Sequence, residues 1–463
     1  MSSAIRVAEL VSYLGGMGRP TTRGFMKTIR DAVHGDIRLS ADEIRLIDTV
    51  EFQRLRGIKQ LGTTSLVYPS AVHTRFEHSL GTAWITKRLI DALVRQGASI
   101  DADEASSARL AALLHDITHV PFGHTFEDER RLLDKHDADQ SRLNYFLVDS
   151  ALGKILHETP AGDRVVDLLS HGQKSPPFVG QLVKGTICAD LLDYLKRDAF
   201  HCGLKLAYDD RLEDYFGIEQ GQLVVRLHKQ GRIRQDVLTE LIHLLQLRYT
   251  LTERVYYHHA KVAAGAMISR GVELAFASGH WSPATLFDLR DDSLLDRLAA
   301  LTGSIDGMKD LIHDLASRRL YGRAYLLEAE GLRKPGLTKD QQETLALQFH
   351  HQPAYRREIE SRLAKRLGIP ESHIIIYCPS PEMQLKEADV PVEFEPGRVE
   401  PLSALGHPDV ESLTMKHRGL WRFLVLVRRG DEELLERAGR LSEEEIGYAN
   451  QLVGHHAGPL RRR

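Results

Sequence analysis

Residues 111–124 read Ala-Ala-Leu-Leu-His-Asp-Ile-Thr-His-Val-Pro-Phe-Gly-His, and this stretch decides how the chain is understood. Leu110, Leu113, Leu114 and Ile117 recur at helical spacing and mark a buried face. The spacing predicts a helix from Ala105 to Ile117, with His115 and Asp116 inside it. An imidazole beside a carboxylate on an apolar helix is costly to bury unless something compensates the charge. A divalent cation does so, and a His plus Asp donor pair suits a borderline transition metal. Adjacent helical residues point about 100° apart, so both side chains can reach one ion beside the helix. Two other segments carry candidate ligands, His78 and Asp190. Singly, each has a plainer explanation: a hydrogen-bonded core histidine, and a capping or salt-bridged carboxylate. The four together carry the weight.

Composition fits an intracellular globular protein, and a cytoplasmic enzyme is the default. The 463 residues are 27% charged and 42% hydrophobic, so extended disorder is not expected. With 61 basic and 64 acidic side chains the net charge is −3. Such a balance gives no global drive toward nucleic acid or membrane, so a polyanion needs a local basic site. Cys188, Cys202 and Cys378 form neither a disulfide framework nor a paired zinc motif. No apolar run approaches the roughly 18 residues of a membrane span. The basic runs Lys416-His417-Arg418 and Arg428-Arg429 read as solvated faces, so nucleic acid is not favoured as a partner.

Working outward, the expected class is mainly α: a helical core with a small α+β C-terminal region. Residues 1–27 read as a leader, 28–275 as the catalytic core, 276–369 as a helical extension and 370–463 as the α+β region. Turn chemistry at His34-Gly35-Asp36 predicts a β-hairpin or tight loop. Ser40 with Glu43 forms a capping box that opens a helix. Helices are expected over Val183–Phe200, over Leu238–Ala275 as one or two pieces, and over 307–330 and 339–366. Ile374-Ile375-Ile376 and Trp421 to Val427 predict two strands. Glu432 to Ala438 predicts a helix stopped by Gly439.

Several stretches resemble one known family. His78, His115-Asp116 and Asp190 are similar to the H…HD…D signature of the HD-domain metal-dependent phosphohydrolases. Phe52 to Gly62, Val67-Tyr68-Pro69, His73 to Gly81, His115 to His124 and Asp193 to Asp198 resemble its deoxynucleoside triphosphate triphosphohydrolase branch. Resemblance covers roughly residues 28–275. It implies one divalent ion on His78, His115, Asp116 and Asp190, with Mn, Fe, Zn, Ni, Co and Mg all open.

Other residues fill out the expected site. His119 lies four residues after His115 and can reach the same cavity without being a ligand. His124 and Glu127 suit a general acid/base pair. The resemblance adds His136 to this group; Glu127 stands where family members often have Asp. Arg75, three residues before His78, can grip phosphate oxygens; otherwise it pairs with Glu77 or Glu51. For the substrate, the resemblance implies Gln60 and Leu61 at the deoxyribose, Tyr194 and Asp198 at the sugar hydroxyl, and Arg248 and Tyr256 against triphosphate and sugar. Leu191 stands where the SAM-and-HD-domain member has a lysine. His258 and His259 are not assigned as ligands.

The expected activity is hydrolysis of deoxynucleoside triphosphates to deoxynucleoside and triphosphate by a homo-oligomer. A phosphodiesterase or nuclease acting on cyclic dinucleotides or DNA is the first alternative. A non-catalytic nucleotide sensor is the second, disfavoured by the intact ligand and acid/base set.

Overall fold

The computed structural model describes residues 27–452, apart from 171, 173, 174, 230, 330–335, 381–384 and 431. The leader expectation, Lys27 excepted, lies outside the described residues. The chain is mainly α with small sheets. No helix among the described residues is long and apolar enough to cross a membrane.

The N-terminal hairpin forms as expected. Lys27–Asp31 pairs antiparallel with Gly35–Leu39, and Gly35 turns the chain at φ 76°. The capping box also forms, with Ser40 N donating to Glu43 and Glu43 N to Ser40 Oγ.

Helix Arg75–Arg95 is the axis of the core, packed against Ala102–Leu114 and Ala189–His201. Phe76, Leu80, Ile85, Leu89 and Leu93 bury its apolar positions. Gly81 lets Ala189–His201 come close: a Cβ there would lie 1.9 Å from Asp193 Oδ1.

The helix that carries the opening motif ends earlier than its periodicity predicts. Ala102–Leu114 stops at Leu114, so His115 and Asp116 are not mid-helix. Successive tight turns follow, with Ile117 N donating to Leu114 O and His119 N to Asp116 O. The carbonyls freed by this unwinding meet a buried guanidinium. Arg54 donates to Ile117 O and His119 O at 2.8 Å each. That partner lies about sixty residues upstream, where helical periodicity cannot report it.

The C-terminal sheet runs in the order Gly322–Glu328, Arg422–Val427, Ile374–Tyr377. Helix His259–Ala277 packs on one face through Val262, Ala263 and Met267. Helices Pro353–Leu367 and Glu432–Ile446 pack on the other. Burial on both faces accounts for the unbroken apolar runs in two of its strands. The third strand corrects the helix expected over 307–330, which covers only Met308–Ala316. Ala, Leu and Glu favour helix locally, but pairing with Arg422–Val427 decides. Helix Glu432–Ile446 runs straight through Gly439, where a Cβ would lie 2.6 Å from Ala324 O. That glycine serves close packing and does not stop the helix.

A second sheet ties distant parts of the chain together. Its order is Arg398–Pro401, Pro391–Glu395, Gln222–Arg226, Phe216–Glu219, with a parallel pairing of Val225 to Val392. A buried ion cluster makes a further link: Arg130 bonds Glu273 at 2.6 Å and Glu360 at 2.8 Å, and Arg270 bonds Glu273. Arg428, expected on a solvated face, instead bonds Asp310 and Asp314.

Candidate metal centre

Three elements deliver the four expected ligands. His78 comes from the first turn of Arg75–Arg95, His115 and Asp116 from the turns after Leu114, and Asp190 from the first turn of Ala189–His201. His78 Nε2 lies 2.9 Å from Asp190 Oδ1, 3.2 Å from His115 Nε2 and 3.7 Å from Asp116 Oδ2. His115 Nε2 lies 3.5 Å from Asp116 and 3.6 Å from Asp190. His78, His115 and Asp116 are buried, whereas the Asp190 side chain is 33% exposed.

The opposite nitrogens of both imidazoles are committed. His78 Nδ1 donates to Asp193 Oδ2 at 2.7 Å, and His115 Nδ1 donates to Ala112 O at 2.7 Å. Each Nε2 is thereby left with its lone pair, and the two face each other. A proton shared with Asp190 or a metal ion between them relieves that arrangement. The same hydrogen bonds set the tautomer and ring direction a metal ligand needs.

Charge gives the same reading. Among the described residues, Asp31, Asp116, Asp190 and Asp193 face two guanidiniums, Arg75 and Arg197. Arg197 bonds Asp193 and Asp31, and His34 Nε2 bonds Asp193 at 2.6 Å. Burial raises the Asp193 carboxyl, but Arg197 and the bonds from His34 and His78 hold it well below the usual range. Burial lowers the His78 imidazole, but Asp190 and Asp193 outweigh it and raise it to about 10. Two unmatched negative charges and facing imidazole lone pairs fit one divalent ion. The buried His/Asp cluster could therefore hold such an ion.

The second group sits directly beside the first. His119 Nε2 is 3.1 Å from Asp116 Oδ1. His124 Nδ1 donates to Glu127 Oε2 at 3.0 Å, His136 Nδ1 reaches the same oxygen at 3.4 Å, and Arg142 donates to Oε1. Burial and the Arg75 charge hold the His119 imidazole well below its usual value. Burial also pulls His124 down, but Glu127 outweighs it and raises the ring. The four donor atoms lie as close together as a metal site requires. The His119 and His136 rings stack 3.8 Å apart at 24°. Both Glu127 oxygens are already bonded. Imidazoles of lowered and raised basicity around one carboxylate are suited to handling protons.

The residues expected at a substrate also meet. Tyr256 Oη donates to Asp198 Oδ2 at 2.6 Å, and His73 Nε2 holds Asp198 Oδ1 at 2.8 Å. Gln60 N donates to His73 O, and Leu61 is buried close by in sequence. The Arg248 guanidinium lies over the rings of Tyr194 and Tyr256. Two arginines have unexpected partners. Arg75 bonds Asp116 at 2.6 Å, not Glu77 or Glu51, and Arg248 bonds Glu387 at 3.1 Å. Gly123 makes room for Arg75, since a Cβ there would lie 2.5 Å from its guanidinium. His258 caps Ala260 N and stacks on His259, away from any acid cluster.

Sequence reasoning assigned no role to Asp193, Arg197, Asp31, His34 or Arg54. The i, i+3, i+7 spacing of Asp190, Asp193 and Arg197 was a signal that one helix face carries them. Which carboxylate meets His78 depends on how two helices dock.

Residues 75–198 match the HD domain family and residues 242–442 the HD associated region. An uncharacterized protein of Methanocaldococcus jannaschii is 34% identical over 303 residues, 64% of this chain and 59% of that one. The deoxynucleoside triphosphate triphosphohydrolase SAMHD1 homolog of Dictyostelium discoideum is 28% identical over 321 residues, 65% of this chain and 60% of that one. The chain thus spans less than two thirds of these relatives. A solved phosphohydrolase from Bacteroides thetaiotaomicron shares the fold, with TM-score 0.66 and 22% identity over 88% of this chain and 100% of that one. The chain thus carries an HD domain followed by an HD associated region and resembles the deoxynucleoside triphosphate triphosphohydrolase branch of HD-domain phosphohydrolases.

Proposed function

We propose that this protein is a metal-dependent phosphohydrolase that converts deoxynucleoside triphosphates to deoxynucleoside and triphosphate. The observation that carries the reading is the pair of imidazole Nε2 atoms, 3.2 Å apart in an anionic pocket, with the His119–His124–Glu127–His136 group alongside. His78, His115, Asp116 and Asp190 would hold the ion. When bound, a divalent ion polarises a phosphoryl oxygen and lowers the pKa of water.

The chain's own residues do the rest. Asp193 and Ala112 O fix the two imidazoles. Arg75, bonded to Asp116, places a cation at the edge of the ligand set, within reach of a phosphate oxygen. His124, raised by Glu127, carries the proton that the leaving 5′-oxygen needs. His119 and His136, held neutral, can take a proton or donate a hydrogen bond. Asp198 and Tyr256, with Gln60, Leu61 and Tyr194, form the wall proposed for the deoxyribose and base. Relatives named for deoxynucleoside triphosphate hydrolysis support this substrate class. We propose further that the protein is a homo-oligomer, testable by light scattering. Three buried free cysteines support a reducing, cytoplasmic setting.

The test is a turnover screen on the purified protein. The four dNTPs, the four NTPs, cyclic dinucleotides, bis-p-nitrophenyl phosphate and single-stranded DNA are each offered with Mg, Mn, Co and Ni. His115→Ala/Asp116→Ala protein is the control. Triphosphate released from dNTPs and lost in the control is the expected result. Cleavage of diesters alone would replace the reading with a phosphodiesterase or nuclease. Silence on every substrate with metal bound would replace it with a sensor.

A further inference from the structure

A cavity of about 450 Å³ opens beside Asp190. That volume is in the range of small-molecule sites, roughly 300–1,000 Å³. Asp190 and Tyr194 are among its lining residues, so the cavity adjoins the proposed metal centre at Asp190. Asp190 is also the only one of the four ligands with a substantially exposed side chain, which makes this the open side of the cluster.

The charges around the cavity are uneven. Lys184 and Lys386 line it from segments far apart in sequence, one just after helix Pro177–Val183 and one in the turn Lys386–Asp389. Asp190 and Glu387 are its two acids. Glu387 is bonded to Arg248 and contributes little free negative charge. The same bond withdraws Arg248 as a ready phosphate grip. Lys184 has a loose contact to Asp137 at 3.6 Å, and Lys386 has no ion pair among the described residues. The cavity lining therefore supplies two lysines on long flexible side chains beside Asp190, next to which a metal-held phosphate would sit. A polyphosphate chain continuing beyond that phosphate carries further negative charge that needs such partners.

We infer that this cavity receives the polyphosphate tail of the substrate, and that Lys184 and Lys386 determine specificity by pairing with it. The inference rests on the reading of His78, His115, Asp116 and Asp190 as the metal centre of a nucleotide hydrolase. It makes Lys386, from the HD associated region, a direct part of the substrate site.

The experiment uses the full chain loaded with metal and titrates inorganic tripolyphosphate, as its magnesium complex, by calorimetry. Lys184→Gln, Lys386→Gln, the double variant and Lys386→Arg are compared. Each lysine removed should weaken binding about tenfold, the size of one lost charged hydrogen bond. Lys386→Arg should restore most of the loss. In turnover, the double variant should raise KM for dNTPs more than it changes kcat. Unchanged tripolyphosphate affinity in the folded double variant overturns the inference. Tripolyphosphate binding that depends on the lysines in a protein that hydrolyses no dNTP would keep the cavity assignment and discard the proposed activity. dNTP hydrolysis with an unaltered KM in the double variant would do the reverse.

Discussion

Two buried clusters of charge lie in this molecule and behave in opposite ways. Around Arg130, four guanidiniums (Arg130, Arg270, Arg356 and the half-exposed Arg357) meet Glu273 and Glu360. The surplus positive charge is absorbed by main-chain carbonyls, with Arg356 donating to Phe349 O and Arg130 O and Arg270 to Glu371 O. Around His78, four carboxylates meet two guanidiniums, and two imidazole lone pairs have no donor. The first cluster is complete without any ligand and fastens the core to the C-terminal sheet. The second is incomplete by about the charge of one divalent ion. What distinguishes a bolt from a binding centre is this balance, not burial or the number of charged residues.

Breaking the bolt should have the largest effect on stability. Glu360→Ala leaves Arg130 and Arg270 buried without their shared acid and should cost about 3–5 kcal/mol. Denaturant melts read that loss, and metal content per folded chain should not change. If metal content falls in step, the two clusters are one unit and the contrast fails.

Metal removal should come next. A chelator withdraws a ligand that binds only the folded state, so stability should drop by about 3–4 kcal/mol when the ion had been present at 100–1,000 times its Kd. The same melt on His115→Ala/Asp116→Ala protein should show almost no chelator effect. An equal chelator effect in both proteins would place the ion elsewhere.

Asp193→Asn sharpens the contrast, because it keeps all four ligands and alters only what orients His78. Metal affinity should fall about 10–100-fold. Gly81→Ala should do the same by pushing a methyl group against Asp193. Competition with a fluorescent chelator measures both, and unchanged affinity would show that Asp193 merely fills space.

The smallest effect concerns Glu129, next to the bolt and outside it. Burial pushes its carboxyl up to about 8. A raised folded pKa means stability is fully present below about pH 4.5, where the unfolded chain also holds its proton, and is lost as pH rises through 8. Between pH 6 and pH 9 the native protein should lose roughly 1–3 kcal/mol that Glu129→Gln does not lose. Parallel pH profiles for the two proteins would mean that Glu129 is ionised in the folded state.

Much of the site was legible because its residue types are expensive where they stand. His115 and Asp116 next to Leu113 and Leu114 demand an explanation from the sequence alone, and the structure brings both together with His78 and Asp190. The acid/base set was legible in the same way, through a histidine and a glutamate spaced on one turn. Less legible were partners chosen by approach. Arg75 could be assigned a cationic role, but not Asp116 as its partner. Arg248 carried the right charge, while Glu387, more than a hundred residues away, takes it up. Helix boundaries failed where tertiary contacts replaced local ones, at Leu114 through Arg54 and at Gly439 through Ala324.

By itself the sequence determined the helical class, the hairpin, two of the strands and the four candidate ligands, since periodicity, turn chemistry and the cost of burying charge act locally or through composition. Only the tertiary structure decided which nitrogen of each imidazole faces the cluster, which oxygen orients each ring, and that strand Gly322–Glu328 and the turn at Lys386 belong beside the core. Those outcomes depend on hydrogen bonds and close approaches between elements remote along the chain, and such contacts have no period to be read.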